Sequence, residues 1–249
     1  MKLKSFGCSF IFGTDLSDQT PSDQTTPAAS QLTWPAHLAK YLNLEYRCNA
    51  QGGAGNLLIL SRILIGITLS NHADLFVIGW TWSDRFDYTG SVLSEYSPIG
   101  VPTPMDPDPD LVPELYCREF PWQTILPSDA DSVSQLYYQK LHSEFRDKFT
   151  SLCYIKLAID TLNQAGIPFI MTYVDELLFN RTYHTDPAVV KLQNYIKPYM
   201  TTFEGQTFLN WSRSKGYPET QNWHPLEEAH QAAADYIINI FDKQNTIDR

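Results

Sequence analysis

Short apolar runs alternate with helically spaced apolar positions along most of this chain. The apolar runs predict five β-strands, at residues 3–6, 44–48, 74–80, 167–173 and 203–209. The helical spacing predicts helices over residues 34–42, 56–69, 133–165, 187–199 and 225–241. Because strands that alternate with helices favour a parallel sheet covered on both faces, we expect a three-layer α/β/α fold with a five-stranded parallel sheet.

Two segments interrupt this alternation. Residues 15–33 are rich in Ser, Thr, Gln, Asp and Pro and lack periodicity, so they predict a long surface loop. Residues 87–131 contain many prolines, which disfavour regular elements, together with aromatic side chains that suit packing. We interpret this second segment as an ordered insertion that follows the third strand and covers the functional site, within a single domain spanning residues 1–249.

Charge and apolar content argue against several functions. The chain has 28 acidic and 18 basic residues and a net charge of −10, so we expect no nucleic acid partner. No segment approaches the roughly 20 apolar residues of a membrane span, and the first residues lack a signal peptide, which predicts a soluble, cytoplasmic protein with no membrane partner. The 4 cysteines form no C-x-x-C pair, so reduced thiols are expected rather than disulfides or a zinc site.

Two side chains near opposite ends of the chain suit acyl transfer. Ser9 follows the first predicted strand, and His224 precedes Pro225 at the start of the last predicted helix. A hydroxyl nucleophile and an imidazole base are the pair that ester hydrolysis through an acyl-enzyme requires. The alternative for Ser9 is a turn serine or a helix cap. The other histidines, including His230, are expected on helix surfaces or in loops.

Four blocks of the sequence, in order, surround these two residues. They are Gly7-Cys8-Ser9, the turn from Asn49 to Asn56, Gly79-Trp80-Thr81-Trp82 and Gln221-Asn222-Trp223-His224. On these blocks, and on the Trp34-Pro35 that begins a predicted helix, the chain resembles the SGNH (GDSL-like) hydrolases. The resemblance spans nearly the whole chain and implies a flavodoxin-like fold, esterase activity and no cofactor or metal. Relatives of this kind occur in phage, so a phage origin would imply a virion-associated location.

The resemblance also implies roles for individual residues. Ser9 would attack the ester carbonyl, and His224 would act first as general base and then as general acid. The backbone N–H groups of Ser9 and Gly53, together with the hydroxyl of Thr81, would hold the oxyanion. Gly52 is the alternative to Gly53, and Ser83 is the alternative to Thr81. Asn56 is either a helix cap, which we favour, or a distant replacement for the family's side-chain amide.

The blocks depart from the family pattern at several positions. Cys8 stands where the family has aspartate, and we expect it to be a packing residue. Thr81 stands where the family has an amide donor. The aspartate that orients the histidine is replaced by Gln221 and Asn222. Either the site is a Ser-His dyad whose imidazole is held by an amide or a backbone carbonyl, or an acid substitutes, and then the candidates are Glu219, Glu227 or a carboxylate from elsewhere in the chain. A missing charge predicts slow turnover.

Aromatic residues after the third predicted strand suggest a substrate. Trp80, Trp82 and Arg85 follow this strand, where the carboxyl ends of parallel strands form a binding crevice. Aromatic faces suit sugar rings, which favours a small O-acyl ester, such as an acetyl ester, on a carbohydrate. The alternatives are ordinary packing for the two tryptophans and a solvated side chain for Arg85.

Two other functions fit the same residues. The scaffold could serve a binding or assembly protein whose chemistry has decayed, as the departures at Cys8, Thr81, Gln221 and Asn222 permit. A flavodoxin-like nucleotide binder is the third interpretation, and it predicts no effect of replacing His224. An esterase differs from both because it requires Ser9.

Overall fold

A computed structural model describes residues 1–19, 28–70, 72–89 and 122–247 of the chain. The strands are β1 (Lys2–Gly7), β2 (Glu45–Cys48), β3 (Leu75–Trp80), β4 (Phe86–Thr89), β5 (Trp122–Ile125) and β6 (Phe169–Tyr173). The α-helices are α1 (Ser9–Phe12), α2 (Trp34–Tyr41), α3 (Asn56–Thr68), α4 (Ser132–Lys140), α5 (Glu144–Ala165), α6 (Pro187–Ile196), α7 (Phe208–Lys215) and α8 (Glu227–Ile247). A mixed α/β architecture was therefore correctly predicted.

The central sheet is parallel and has four strands in the order β2-β1-β3-β6. The prediction of a fifth strand over residues 203–209 was wrong. Only a single parallel bridge, between Met171 and Met200, extends the described sheet beyond β6. The Thr207 hydroxyl instead caps α7 by accepting a hydrogen bond from the Asn210 N–H at 3.3 Å. A hydroxyl in this position satisfies one of the N–H groups that a helix start leaves without a partner, so the segment continues as helix.

Helices cover both faces of the sheet. On one face, α3, α5 and α6 pack with Phe76, Ile78 and Met171. On the other face, α2, α7 and α8 pack with Val77 and Ile170. Successive strand residues point to opposite faces, which is why neighbouring positions of β3 divide between the two cores. The expected three layers follow from this alternation.

Two glycines let α1 lie against the ends of β1 and β3. Gly7 and Gly79 are opposite each other in the β1–β3 ladder. A Cβ at either position would come within 2.6 Å of Ile11 Cγ1. Because only a residue without a side chain permits this approach, the two glycines fix α1, and with it Ser9, at the carboxyl edge of the sheet.

The predicted insertion contains an antiparallel pair of strands. In this pair, Phe86 of β4 lies opposite Ile125 of β5. The expectation that residues 87–131 hold no regular element was therefore wrong near both ends of the segment. Residues 90–121, which carry most of its prolines and aromatic residues, lie outside the described residues.

Two predicted helix boundaries also differ from the structure. The helix expected over residues 133–165 is divided into α4 and α5, since the Ser143 hydroxyl accepts a hydrogen bond from the Arg146 N–H at 3.3 Å and so begins a new helix. The last helix begins at Glu227 rather than at residue 225 and continues to Ile247. Within the ranges given above, no helix combines the length and the apolar content that crossing a bilayer requires.

Candidate active site

The sequence blocks meet at one edge of the sheet. Ser9 follows β1, Gly53 follows β2 and Thr81 follows β3, and the carboxyl ends of parallel strands lie at the same edge. The Gln51 N–H donates to the Gly7 carbonyl at 3.0 Å, so the loop after β2 is held against the end of β1. The glycine turn therefore lies beside the segment that carries Ser9.

Ser9 is the first residue of α1. It is 5% exposed, and its hydroxyl makes no hydrogen bond to any residue that the structure describes. The hydroxyl is therefore not used as a helix cap, which was the structural alternative for this residue. The preceding Cys8 is a free thiol, is 1% exposed and packs in the core, as its packing interpretation predicts.

His224 lies in a turn between α7 and α8. The Thr220 N–H donates to the His224 carbonyl at 3.0 Å and closes this turn. The prediction that His224 opens the last helix was wrong, because α8 begins further along the chain. The His224 ring stands edge-on to the ring of Phe10, with the two centroids 5.6 Å apart. Since Phe10 follows Ser9 directly, the turn brings the imidazole to the helix that carries the serine.

Asp15 is the carboxylate that contacts His224. Its Oδ2 lies 2.7 Å from His224 Nδ1 and accepts a hydrogen bond from Thr220 Oγ1 at 3.1 Å. The hydrogen bond to His224 holds the pKa of the Asp15 carboxyl below its ordinary value. The carboxylate is therefore ionised at neutral pH and can only accept hydrogen bonds. In a neutral His224 the ring proton consequently lies on Nδ1, and Nε2 is the basic nitrogen.

The backbone around α1 sets the position of Asp15. Asp15 has a left-handed φ of 72°, a conformation that is uncommon for non-glycine residues but that aspartate adopts more readily than most. The Thr14 N–H donates to the Ser9 carbonyl at 3.1 Å, so the chain folds back at the end of α1 just before the aspartate. The same short helix thus positions a hydroxyl at its start and a carboxylate just beyond its end.

Two of the predicted orienting acids are engaged elsewhere. Glu219 forms an ion pair with Arg213, with 2.8 Å between Oε2 and Nε. Glu227 accepts a hydrogen bond from the Ser17 N–H at 2.7 Å. Neither carboxylate therefore holds the imidazole.

The predicted orienting amides do not hold the imidazole either. Within the described residues neither Gln221 nor Asn222 bonds to the His224 ring; the Asn222 side chain instead contributes to the lowered pKa of the Asp15 carboxyl. Sequence reasoning did not identify Asp15, which lies 209 positions from His224 in a segment predicted as loop. It corresponds to the open alternative of an acid from elsewhere in the chain.

Gly53 offers a backbone N–H beside open space. Its φ is 77°, and a Cβ at this position would meet no atom of the described residues within 4 Å. A Cβ at Gly52 would lie 3.4 Å from Thr14 Oγ1, so this residue is closer to the α1 loop. The main chain at Gly53 can therefore be approached by a substrate oxygen, as an oxyanion donor requires.

Thr81 is held rigidly at the end of β3. It is fully buried, and its Oγ1 has no hydrogen-bond partner among the described residues. The Asn56 amide accepts from the Thr81 N–H at 2.9 Å and donates to the Thr81 carbonyl at 3.2 Å. Asn56 is therefore not the helix cap that we favoured, and Gly55 occupies that position. The Ser83 hydroxyl donates to Asp175 at 2.6 Å and is already engaged.

The three predicted substrate-binding residues divide into two groups. Trp80 is fully buried in the core with residues of α3 and α5, so substrate does not reach it. Trp82 is half-buried, and its ring lies 5.5 Å from the ring of Phe10. The Arg85 guanidinium lies 4.8 Å from the Trp82 ring centroid and donates to the Ala54 carbonyl at 3.1 Å. Trp82 and Arg85 thus flank the candidate site, whereas Trp80 supports the core.

A buried carboxylate ties the insertion to the glycine turn. Asp87 is 5% exposed and accepts hydrogen bonds from the Gly55 N–H at 2.9 Å, from the Leu58 N–H at 2.8 Å and from the Thr124 hydroxyl. Burial raises the pKa of the Asp87 carboxyl. Its carboxylate oxygens bind N–H groups that the start of α3 leaves without helical partners. This carboxylate therefore joins the β4–β5 pair to the glycine turn.

His230 lies apart from the candidate site. The prediction that His230 lies on a helix surface or in a loop was wrong, because the residue is only 2% exposed. Its Nδ1 accepts a hydrogen bond from the Trp34 N–H at 3.2 Å. Burial lowers its pKa to about 3, so the ring is a neutral acceptor. Across residues 1–19, 28–70, 72–89 and 122–247, no group of three His, Cys, Asp or Glu side chains is arranged to hold a metal ion.

Comparison with known proteins gives matches among solved structures alone. No protein-family model and no curated protein sequence matches the chain. A lipolytic protein of the G-D-S-L family from Veillonella parvula DSM 2008 is 12% identical, with a TM-score of 0.49, over 97% of this chain and 98% of that protein. A psychrotrophic esterase from Pseudoalteromonas sp. is 7% identical, with a TM-score of 0.48, over 98% of both chains.

A third match is an acetyl xylan esterase from the rumen bacterium Butyrivibrio proteoclasticus. It is 12% identical, with a TM-score of 0.45, over 98% of this chain and 64% of that protein. Each of these solved structures is one to which the chain is similar in overall structure. Identities and scores this low assign no activity, substrate or residue role to this chain.

Proposed function

We propose that this protein is a serine ester hydrolase in which Ser9 is the nucleophile, His224 the general base and Asp15 the carboxylate that orients the imidazole. The observation that carries the proposal is the hydrogen bond of 2.7 Å between Asp15 Oδ2 and His224 Nδ1. A carboxylate at Nδ1 fixes the tautomer in which Nε2 accepts a proton, and it stabilises the imidazolium that results.

Acylation follows from this arrangement. Ser9 Oγ attacks the ester carbonyl carbon while its proton passes to His224 Nε2, and the carbonyl oxygen becomes an oxyanion. The tetrahedral intermediate then collapses, the bond to the alcohol oxygen breaks, and the alcohol leaves with the proton from His224. The product of this half-reaction is an ester between the acyl group and Ser9.

Deacylation repeats the same steps with water. Water attacks the acyl carbon and gives its proton to His224 Nε2, and the second tetrahedral intermediate returns that proton to Ser9 Oγ as the carboxylic acid departs. The unused hydroxyl of Ser9 supports this role. Catalytic hydrogen bonds are often long before substrate binds, so we expect the Ser9–His224 contact to tighten in the complex.

Two donors would stabilise the oxyanion, the backbone N–H groups of Ser9 and Gly53. The open space that adjoins Gly53 among the described residues supports its assignment. The predicted third donor, the hydroxyl of Thr81, is fully buried, as Trp80 is, so we do not assign it to the oxyanion. Removing one such donor from a serine hydrolase slows turnover by about 10²- to 10³-fold, so each contributes substantially.

A small O-acyl ester is the substrate class that we propose. Ser9 is only 5% exposed, which favours a short acyl group such as acetyl. The half-buried ring of Trp82 provides apolar surface beside the site, which suits the sugar ring of a carbohydrate ester.

Hydrolysis of 4-nitrophenyl acetate tests the proposal. We expect turnover by the wild-type protein, loss of turnover in Ser9→Ala and at least about a thousandfold loss of kcat in His224→Ala. Ser17→Ala is the matched control, since Ser17 is an exposed serine in the loop after α1 that contacts Glu227 rather than His224. Turnover that survives in Ser9→Ala would contradict the proposal. A folded wild-type protein without turnover would favour the binding or assembly function instead.

A further inference from the structure

We propose that Arg85 binds a carboxylate carried by the substrate, so that this site prefers anionic esters to neutral ones. This inference rests on the proposed esterase function, because it names the substrate class of the same site. It is carried by the fixed position of the guanidinium, by the absence of an ion pair to it within the described part of the chain and by its place beside the site.

Two contacts hold the Arg85 guanidinium in one position. Its carbon lies 4.8 Å from the centroid of the Trp82 ring, and Nη1 donates to the Ala54 carbonyl at 3.1 Å. A guanidinium has five N–H donors in a rigid plane, and the Ala54 carbonyl uses one of them. The stacked side chain is therefore ordered before substrate binds and retains donors that match the two oxygens of a carboxylate.

Arg85 forms no ion pair within the described residues. Other arginines of the chain do, since Arg146 pairs with Asp147 and Arg213 pairs with Glu219. The neighbouring Asp84 makes no ion-pair contact with Arg85; burial raises the pKa of its carboxyl, and the nearby charge of Arg85 opposes part of that rise. In a protein with a net charge of −10, an ordered arginine that has no carboxylate within ion-pair distance among the described residues can attract an anion.

The guanidinium is linked to the candidate site by short chains of contacts. The Ala54 carbonyl to which it is anchored belongs to the residue after Gly53, the proposed oxyanion donor. On the other side, the Trp82 ring lies 5.5 Å from the Phe10 ring, which lies 5.6 Å from the His224 ring. A carboxylate bound to Arg85 would therefore belong to an ester whose reacting carbonyl is at Ser9.

The carboxylate can be part of the acyl group or of the alcohol, and two ester pairs separate these cases. The acyl pair is mono-4-nitrophenyl succinate and neutral 4-nitrophenyl butyrate. The alcohol pair is 4-acetoxybenzoate and its neutral methyl ester. The quantity compared is the ratio of kcat/KM for the anionic member to kcat/KM for the neutral member of each pair.

The test variant is Arg85→Gln, and Arg181→Gln is the matched control because it removes the same charge from an arginine that bonds to the Asn194 side chain. We expect the ratio for one pair to fall at least about tenfold in Arg85→Gln and to stay unchanged in Arg181→Gln. The pair that responds identifies the side of the ester that carries the charge. Ratios that stay at the wild-type value for both pairs in Arg85→Gln would overturn the inference. If Arg85 only stabilised the oxyanion, Arg85→Gln would slow hydrolysis of both members of each pair equally and would give that result.

A binding measurement separates this inference from the proposed catalysis. Calorimetric titration of the Ser9→Ala protein with both anionic esters needs no turnover, and we expect the Ser9→Ala, Arg85→Gln protein to bind one of them at least about tenfold more weakly. Equal binding by the two proteins overturns the role of Arg85 even where Ser9→Ala has abolished hydrolysis. Conversely, turnover that survives in Ser9→Ala overturns the proposed nucleophile and leaves the binding difference intact.

Discussion

Replacing Asp15 with asparagine perturbs the one contact on which the proposed mechanism depends most. The variant Asp15→Asn keeps the size of the side chain and removes its charge. Its amide can also donate to Nδ1, which would place the ring proton on Nε2, the nitrogen that must accept the proton of Ser9. Both effects reduce the basicity that the reaction requires from His224.

The structure sets the size of the expected effect. A hydrogen bond to a charged group contributes about 1.5–3 kcal/mol, and about 1.4 kcal/mol corresponds to a factor of ten in rate. The Asp15 side chain is 34% exposed, so solvent screens part of its charge. We therefore expect kcat to fall about 10- to 100-fold, which is less than the roughly 10⁴-fold loss for a buried triad aspartate.

The assay is steady-state hydrolysis of 4-nitrophenyl acetate at neutral pH, with thermal unfolding measured on the same samples. We expect a lower kcat with little change in KM or in the unfolding temperature. Asp18→Asn is the control, because Asp18 lies in the same loop and accepts from the Gln31 N–H rather than from the imidazole. A wild-type kcat in Asp15→Asn, or an equal loss in Asp18→Asn, would refute the reasoning.

Three further predictions follow from the packing of buried residues. Gly79→Ala should displace α1, because the new Cβ would lie 2.6 Å from Ile11 Cγ1, and the resulting loss of esterase activity should be partly restored by adding Ile11→Ala. Asp87→Ala should lower the free energy of unfolding in urea by about 2–4 kcal/mol, since buried N–H groups lose their acceptor; an unchanged midpoint would show that water replaces it. His230 has a folded pKa of about 3 against an ordinary value of 6.5, so the unfolded chain alone binds its proton between these values. The free energy of unfolding should therefore fall by up to about 5 kcal/mol as the pH decreases from 6.5 towards 3, and His230→Gln should remove that part of the slope.

Local patterns were sufficient for most of the architecture. The apolar run at β3 and the helical spacing of α2 and α3 predicted these elements to within one or two residues, because each pattern is set by neighbours in sequence. The alternation of side chains along a strand was also sufficient to predict on which face of β3 Trp80 lies. Trp80 lies on the same face as Phe76 and Ile78, which places it in the core rather than at the site.

The acid of the site was not predictable in the same way. Asp15 meets His224 only through the fold, across 209 positions of sequence, and it does so from a left-handed backbone that no periodicity indicates. The fifth predicted strand failed for a different reason, since the capping hydroxyl of Thr207 outweighed the apolar character of the residues around it. Both errors arise where a single polar contact decides the local conformation.

Labelling with a fluorophosphonate probe, followed by peptide mass mapping, tests the central claim most directly. The probe reacts with a serine whose hydroxyl is activated by a neighbouring base. We predict one adduct, on Ser9, in the folded wild-type protein, much slower labelling in His224→Ala and no adduct after denaturation. A folded protein that carries no adduct on Ser9, or one that is labelled equally well at Ser9 without His224, would contradict the proposed mechanism.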